Sequence, residues 1–230
     1  MKTDKIISKT KANYSIIASH FSETRKKNIW IDLRPFLDLV NNKDRVLDVG
    51  CGSARLYRVL KEKKIDYLGI DFIEQFIEES KKKYPEAKFK LVNITKKTDW
   101  EKVKGKFDVV LCIAVLHHMP DRYIQKMILA EINKKLKENG ILILSVWNLW
   151  RKKYWIFHLK QVFKKIFFLR PKWLWVSYSL SDGRKPILTV QRFIYSFTQK
   201  ELETLVENAG FKILRCRQDN NLCLAAKKIV

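Results

Sequence analysis

Val46-Leu47-Asp48-Val49-Gly50-Cys51-Gly52-Ser53-Ala54 reads as an apolar strand that breaks into a glycine-rich turn and then opens a helix. Two glycines two residues apart let the backbone pass close beneath a ligand that a Cβ would push away. The helix that follows points its unpaired N–H groups at the same spot. Nineteen residues after Gly52, a second apolar strand, Tyr67-Leu68-Gly69-Ile70, ends in Asp71, whose carboxylate can grip a ribose. Strand, turn, helix, strand and acid in that order predict a site for an adenosine-bearing cofactor. The plain alternative is an ordinary tight turn with a helix-capping Asp.

A dinucleotide site would require G-x-G-x-x-G, with its pyrophosphate on the helix N-terminus. This chain has Gly50-Cys51-Gly52-Ser53-Ala54-Arg55, without the last glycine, and an acid, Asp48, two residues before the first. Asp48 suits a cationic ligand such as the amino group of a methionine moiety. The run D-x-G-C-G resembles the first motif of the class I S-adenosylmethionine-dependent methyltransferases, which usually carry glycine where this chain has Ala54. The resemblance implies S-adenosyl-L-methionine as cofactor, S-adenosyl-L-homocysteine as product, and no metal. Alanine is small, so only a slight local shift is expected.

The chain has 230 residues, enough for one α/β domain plus a subdomain. Its 47% hydrophobic content can build a core. Against 24 Asp and Glu stand 47 Lys and Arg, a formal charge of +23. That excess is large for a soluble enzyme of a small metabolite. It predicts a polyanionic partner, nucleic acid first and an anionic membrane surface second. The blander reading is a lysine-rich chain with charges scattered over solvated faces. Cys51, Cys112, Cys216 and Cys223 form no C-x-x-C pair and read as reduced packing residues of a cytoplasmic protein. The charged N-terminus does not read as a signal peptide, and no apolar run approaches the ~18 residues of a membrane span.

Along the chain, residues 1–12 are basic and expected to fray, and Tyr14, Ile17, Ala18 and Phe21 have helical spacing. A helix over about 28–41 would carry Trp30, Leu33, Leu37 and Val40 on one side. Alternation follows: strand 45–49, helix 54–63, strand 66–70, helix 73–83, strands 88–92 and 107–113, helix 120–138, strand 140–147. That rhythm predicts a doubly wound, mostly parallel, Rossmann-like sheet. Thr198 and Glu201 form a capping box for a helix to Asn208, and strands 211–217 and 221–228 close the chain as an antiparallel hairpin, as in the methyltransferase family. The expected organisation is an N-terminal helical lid (1–42), a cofactor-binding core (43–147), a basic aromatic insert (148–190) and the C-terminal part of a seven-stranded core (191–230).

A narrower likeness lies outside the glycine turn. Tyr14-Ser-Ile-Ile17-Ala18-Ser-His20-Phe21-Ser22-Glu-Thr24-Arg25 resembles the N-terminal signature of the tRNA wobble-uridine carboxyl methyltransferases, which esterify 5-carboxymethyluridine in the anticodon. Cys112-Ile-Ala114-Val115-Leu116-His117-His118 resembles their fourth-strand motif, and Leu144-Ser-Val146-Trp147 the end of their fifth strand. Gln191-Arg192-Phe193-Ile-Tyr195-Ser-Phe197 resembles their late Arg-Tyr-Tyr-His segment. The likeness covers nearly all the chain apart from 148–190. It implies cofactor contacts at Tyr14, His20, Phe21, Asp48, Gly50, Cys51, Gly52, Asp71, Phe72, Asn93, Ile94, Ala114 and Leu116, with Tyr14 and Phe21 as a lid. Asn93 stands where the family often has an acid; its side-chain oxygen can accept from an adenine amino group. Some family members need a small zinc-binding activator protein.

Methyl transfer from a sulfonium leaves the protein mainly alignment and a dry pocket to supply. A carboxylate acceptor with a pKa of about 4 is already ionised and needs cations rather than a general base; a phenol or sugar hydroxyl needs its proton removed. Arg25 and Arg192 are therefore the expected anchors of an anionic acceptor, with His117 orienting either partner. A surface cation at Arg25 and helix-cap histidines at 117 and 118 are the plainer readings. Between Trp147 and Ser181 stand eight Lys or Arg and no acid, interleaved with Trp150, Trp155, Phe163, Phe167, Trp173 and Trp175. Cations on phosphates and aromatics on unpaired bases suit an anticodon loop, with Lys152, Lys153, Lys160, Lys164, Lys165, Arg170 and Lys172 as contacts. The same composition describes an interfacial helix, or a subdomain core. The expected function is accordingly a tRNA methyltransferase. The competing readings are an O-methyltransferase of a membrane-associated quinone or lipid precursor, and a non-catalytic RNA-binding protein.

Overall fold

The computed structural model describes residues 3–24, 30–151, 173–181 and 186–229. A seven-stranded sheet runs through the molecule. Its strands in chain order are β1 (Arg45–Val49), β2 (Asp66–Asp71), β3 (Lys88–Leu91), β4 (Phe107–Ile113), β5 (Leu136–Trp147), β8 (Phe211–Gln218) and β9 (Asn221–Lys228). Spatially they lie β3-β2-β1-β4-β5-β9-β8. The first five are parallel, and β9 is antiparallel to both neighbours. This is the expected doubly wound sheet with a terminal antiparallel hairpin.

Alternate side chains of the central strands enter two separate cores, as a pleat requires. Leu47, Val110, Cys112, Leu142 and Leu144 pack on one face. Val46, Val109, Leu111 and Ile143 pack on the other. The near-continuous apolar runs of β1 and β4 follow from burial on both faces. The chain leaves β1 toward β2 and β3, then returns to lay β4 on the opposite side of β1. The carboxyl ends of β1 and β4 therefore open a crevice at the switch point.

Helices α3 (Arg55–Leu60), α4 (Glu74–Lys83), α5 (Arg122–Lys135) and α6 (Gln199–Glu207) connect the strands. Asp121 caps α5 by accepting from the Tyr123 N–H at 2.6 Å, and Thr198 caps α6 by accepting from Glu201 N–H at 3.2 Å.

Three expectations are corrected. The N-terminal helix α1 spans Thr3–Thr24, so residues 3–12 are helical rather than frayed. Ile6, Thr10, Ile17 and Ala18 are buried along it, which anchors the basic first turns. The helix expected over 28–41 is a 3-10 turn at Ile31–Leu33 followed by a single turn, α2 (Arg34–Leu37). Pro35 has no N–H to continue a ladder, yet Leu33, Leu37 and Val40 are buried as their spacing predicts. Finally, the basic aromatic insert contains a second sheet: β6 (Trp173–Ser181) pairs antiparallel with β7 (Pro186–Tyr195). β7 crosses the boundary drawn at residue 190, because Phe193 and Tyr195 join the main core.

Candidate active site

The glycine turn after β1 takes the backbone it needs. Gly50 has φ +74 and Gly52 has φ +52. A Cβ at Gly50 would lie 2.3 Å from Val115 Cγ2, while one at Gly52 would project into open space. Ala54, with φ 55, adopts the same left-handed region that its family glycine would occupy without strain. Above the turn lies a pocket lined by residues of β1, β2 and β4 and by residues of α1 and β7.

The cofactor side is acidic. Asp48 is buried and accepts a 2.7 Å hydrogen bond from Tyr67. Burial pushes its carboxyl up to about 7. No ion pair neutralises Asp48 among the described residues. Asp71 is also buried; its oxygens accept from the N–H groups of Gly52 at 2.9 Å and Ile73 at 3.0 Å. Burial raises its pKa as well, against the pull of those backbone donors. Asp48, Asp71 and Gly52 line the same pocket. That donor set fits S-adenosylmethionine: a buried acid for its ammonium, another for its ribose hydroxyls, and an open glycine beneath.

The opposite side carries donors. Arg192 on β7 is 4% exposed, and its guanidinium lies 4.9 Å from the ring centres of both Trp147 and Tyr178. Its Nε has no hydrogen-bond partner among the described residues. His117 is fully buried in the 3-10 turn after β4. Its Nδ1 accepts from the Trp147 N–H at 3.2 Å, and its Nε2 has no partner among the described residues. Burial, with His118 and Arg192 nearby, holds His117 well below the usual imidazole range. His118 sits between Tyr14 Oη at 2.9 Å and the Phe193 carbonyl at 2.9 Å. The carbonyl can only accept, so His118 Nδ1 donates to it and Nε2 accepts from Tyr14. Burial brings His118 down to about 4.

Of the expected residues, Tyr14, Asp48, Gly50, Cys51, Gly52, Asp71, Phe72, Ile94, Ala114, His117 and Arg192 line this pocket together. Three expected contacts do not. Asn93 Oδ1 accepts from Thr95 N–H at 3.1 Å and Thr95 Oγ1 at 2.7 Å, so its lone pairs are spent on a local turn, and Ile94 and Thr95 line the wall instead. Leu116 points into the main core, between the lining residues Val115 and His117. His20 Nδ1 lies 3.1 Å from Tyr178 Oη, against the β6–β7 hairpin. Arg25 and the side chain of Phe21 lie outside the described residues, as do Lys152, Lys153, Lys160, Lys164, Lys165, Arg170 and Lys172.

Of the insert aromatics within the described residues, Trp150 Nε1 donates to the Phe197 carbonyl, and Trp173 and Trp175 pack on Phe193. They therefore pack against the chain itself. Sequence reading missed Thr10, a buried pocket residue on α1. The available signal was its position four residues before Tyr14, one helical turn away.

A family model described as a methyltransferase domain matches residues 21–215. The tRNA (carboxymethyluridine(34)-5-O)-methyltransferase of Schizosaccharomyces pombe is 24% identical over 225 residues, covering 90% of each chain. Its namesake in Arabidopsis thaliana is 28% identical over 134 residues, of which this chain spans 31% of the length. The ubiquinone biosynthesis O-methyltransferase of Rickettsia akari is 32% identical over 114 residues, 49% of this chain and 44% of that one. This chain thus spans well under two thirds of the length of the latter two relatives. Among solved structures, an S-adenosylmethionine-dependent methyltransferase of Methanosarcina mazei shares the fold at TM-score 0.65 and 20% identity, over 88% of this chain and 99% of that one.

Proposed function

This chain belongs to the methyltransferase-domain family and is an S-adenosylmethionine-dependent enzyme, and from that premise we propose that it methylates a carboxylate, that of 5-carboxymethyluridine at the tRNA wobble position. The observation that carries the reading is Arg192. A buried guanidinium without an acidic partner among the described residues is costly, and this one faces the pocket beside His117. An anionic acceptor entering the pocket offsets that cost.

When bound, S-adenosylmethionine supplies an electrophilic methyl group; the acceptor oxygen forms its bond to carbon as the carbon–sulfur bond breaks, the electron pair stays on sulfur, and no proton moves if that oxygen is already ionised. Asp48 would hold the ammonium, Asp71 the ribose hydroxyls, and the turn at Gly50 and Gly52 the backbone approach. Arg192 orients the acceptor by charge-assisted hydrogen bonds, and its stacking on Trp147 and Tyr178 limits its rotamers. Arg25 is the second cation of this proposal. Tyr14, tied to His118, closes the pocket against water.

The RNA part rests on the +23 charge, on the basic segment 152–172 and on the likeness to the S. pombe enzyme along 90% of the chain. The second reading, a quinone or lipid precursor at a membrane surface, is favoured by the likeness to the R. akari enzyme. Among the described residues no helix is long and apolar enough to cross a membrane.

The test is incubation with labelled S-adenosylmethionine and tRNA bearing 5-carboxymethyluridine, followed by digestion to nucleosides. Label in an alkali-labile uridine ester is the expected result, in the presence of a zinc-binding activator protein if the chain alone turns over slowly. Label confined to other nucleosides, or to an added catechol, would remove the proposed substrate and leave the enzyme class standing.

A further inference from the structure

Three residues that line the pocket each carry a buried polar atom with no hydrogen-bond partner among the described residues: Thr10 Oγ1, His117 Nε2 and Arg192 Nε. The residues are 3%, 0% and 4% exposed and come from three separate elements, α1, the turn after β4, and β7. Native proteins seldom leave such groups unpaired, because each costs the desolvation of a donor. We propose that these three groups form a donor cradle for the oxyanion of the acceptor, in which Thr10 is a specificity-determining residue. The inference rests on the carboxylate reading and deepens it.

Geometry fixes the role of each atom. His117 Nδ1 receives the Trp147 N–H, so in the neutral ring the proton sits on Nε2. The unpartnered nitrogen is therefore a donor and has no lone pair with which to take a proton. Arg192 Nε is a donor by its chemistry. The Thr10 hydroxyl turns freely to donate. Its place is set by α1: about one helical turn on, Asn13 Nδ2 donates to the Gln191 carbonyl at 2.5 Å and Tyr14 to His118. These bonds clamp that face of α1 onto β7 and the histidine turn.

Other groups in the pocket do not supply a base to this cradle. Both nitrogens of His118 are engaged, with Tyr14 and with Phe193. The carboxylates of Asp48 and Asp71 lie at the glycine turn, where the cofactor's ammonium and ribose take them. Burial raises the Cys51 thiol, which keeps it neutral. The cradle therefore accepts only groups that arrive already ionised. A carboxylate offers four lone-pair sites to three donors. A phenol or catechol leaves the cradle facing a neutral hydroxyl with no base to remove its proton.

The test compares the parent enzyme with Thr10→Val and Thr10→Ser on an anticodon stem-loop RNA carrying 5-carboxymethyluridine, with catechol as the proton-bearing alternative. Acceptor affinity is also read from quenching of tryptophan fluorescence with S-adenosylhomocysteine present. Expected results are a KM and dissociation constant for the RNA raised about tenfold in Thr10→Val, recovery in Thr10→Ser, an unchanged cofactor affinity, and a rate flat from pH 6.5 to 8.5. Thr10→Val with parental acceptor affinity, beside an active parent, overturns the cradle and leaves the carboxylate reading intact. A parent that ignores the RNA and methylates catechol with a rate rising with pH overturns both.

Discussion

The two halves of the pocket are built in opposite ways. The cofactor half is made by the sheet itself: β1, β2 and the glycine turn bring two buried carboxylates together at the crevice. The acceptor half is made by elements laid on the sheet, α1, β7 and a 3-10 turn, and it carries the donors of His117 and Arg192. Titration runs in opposite senses too. Burial raises Asp48 toward neutrality and lowers His118 to about 4, so both groups favour their uncharged forms in the free protein. Such a pocket is polarised: acids await a cation at one end, and Arg192 awaits an anion at the other. The difference teaches that one half is set by a backbone motif and the other by packing between distant segments.

The sharpest way to break this comparison is at Arg192. Arg192→Ala should lower kcat/KM for the acceptor ~100-fold or more, as truncation of a buried charge contact does. Cofactor affinity, measured by calorimetry, should stay within about twofold. Equal losses on both ligands would show that the halves are not separable. Arg192→Lys should recover little, because a point charge cannot replace a planar fork stacked on two rings.

Asp48 sharpens the other half. Its folded pKa, about 7, lies above the ordinary 3.8. The folded state therefore holds a proton that the unfolded chain releases, and the stabilisation present below 3.8 is lost as pH rises through 7. A cofactor ammonium reverses the preference and must displace that proton. S-adenosylhomocysteine affinity should rise about tenfold per pH unit below 7 and level off above it. Calorimetry at pH 6 in buffers of different ionisation heat should report close to one proton released. Asp48→Asn should bind more weakly and flatten the profile; an unflattened one would assign the proton to another group.

The smallest effect concerns the strained residue that joins turn to helix. Ala54→Gly relieves a left-handed alanine at the cost of added chain entropy, for a net gain of about 0.5–1 kcal/mol. The urea midpoint should rise with no change in slope. A fall would mean that the buried Ala54 methyl contributes more to packing than its backbone costs.

Legibility from sequence followed the same division. Strands β1, β4 and β9 were readable to the residue and β2 to within one, because both faces are buried and the apolar runs are unbroken. The glycine turn, Asp48 and Asp71 were readable because local spacing dictates them. The N-terminal turns of α1 were not, since Lys5, Lys9 and Lys11 on the solvent face mask the buried Ile6 and Thr10. The turn that engages Asn93 was not legible, because Thr95 N–H and Oγ1 meet its side-chain oxygen only once the loop after β3 is folded. The burial of Leu116 in the main core, between two pocket residues, was set by the 3-10 turn and not by a readable period.

The amino-acid order alone determined the parallel sheet, the cofactor turn and its two acids, since these depend on period-two burial and on backbone conformations that few residues adopt. It also set the strong positive charge. Only the tertiary structure decided which polar groups meet across the pocket. Thr10, His117 and Arg192 are far apart in the chain, and no local pattern specifies that they line one pocket. Their meeting is a consequence of α1 and β7 docking over the carboxyl end of the sheet, where burial strips them of water and leaves a ligand as the remaining partner.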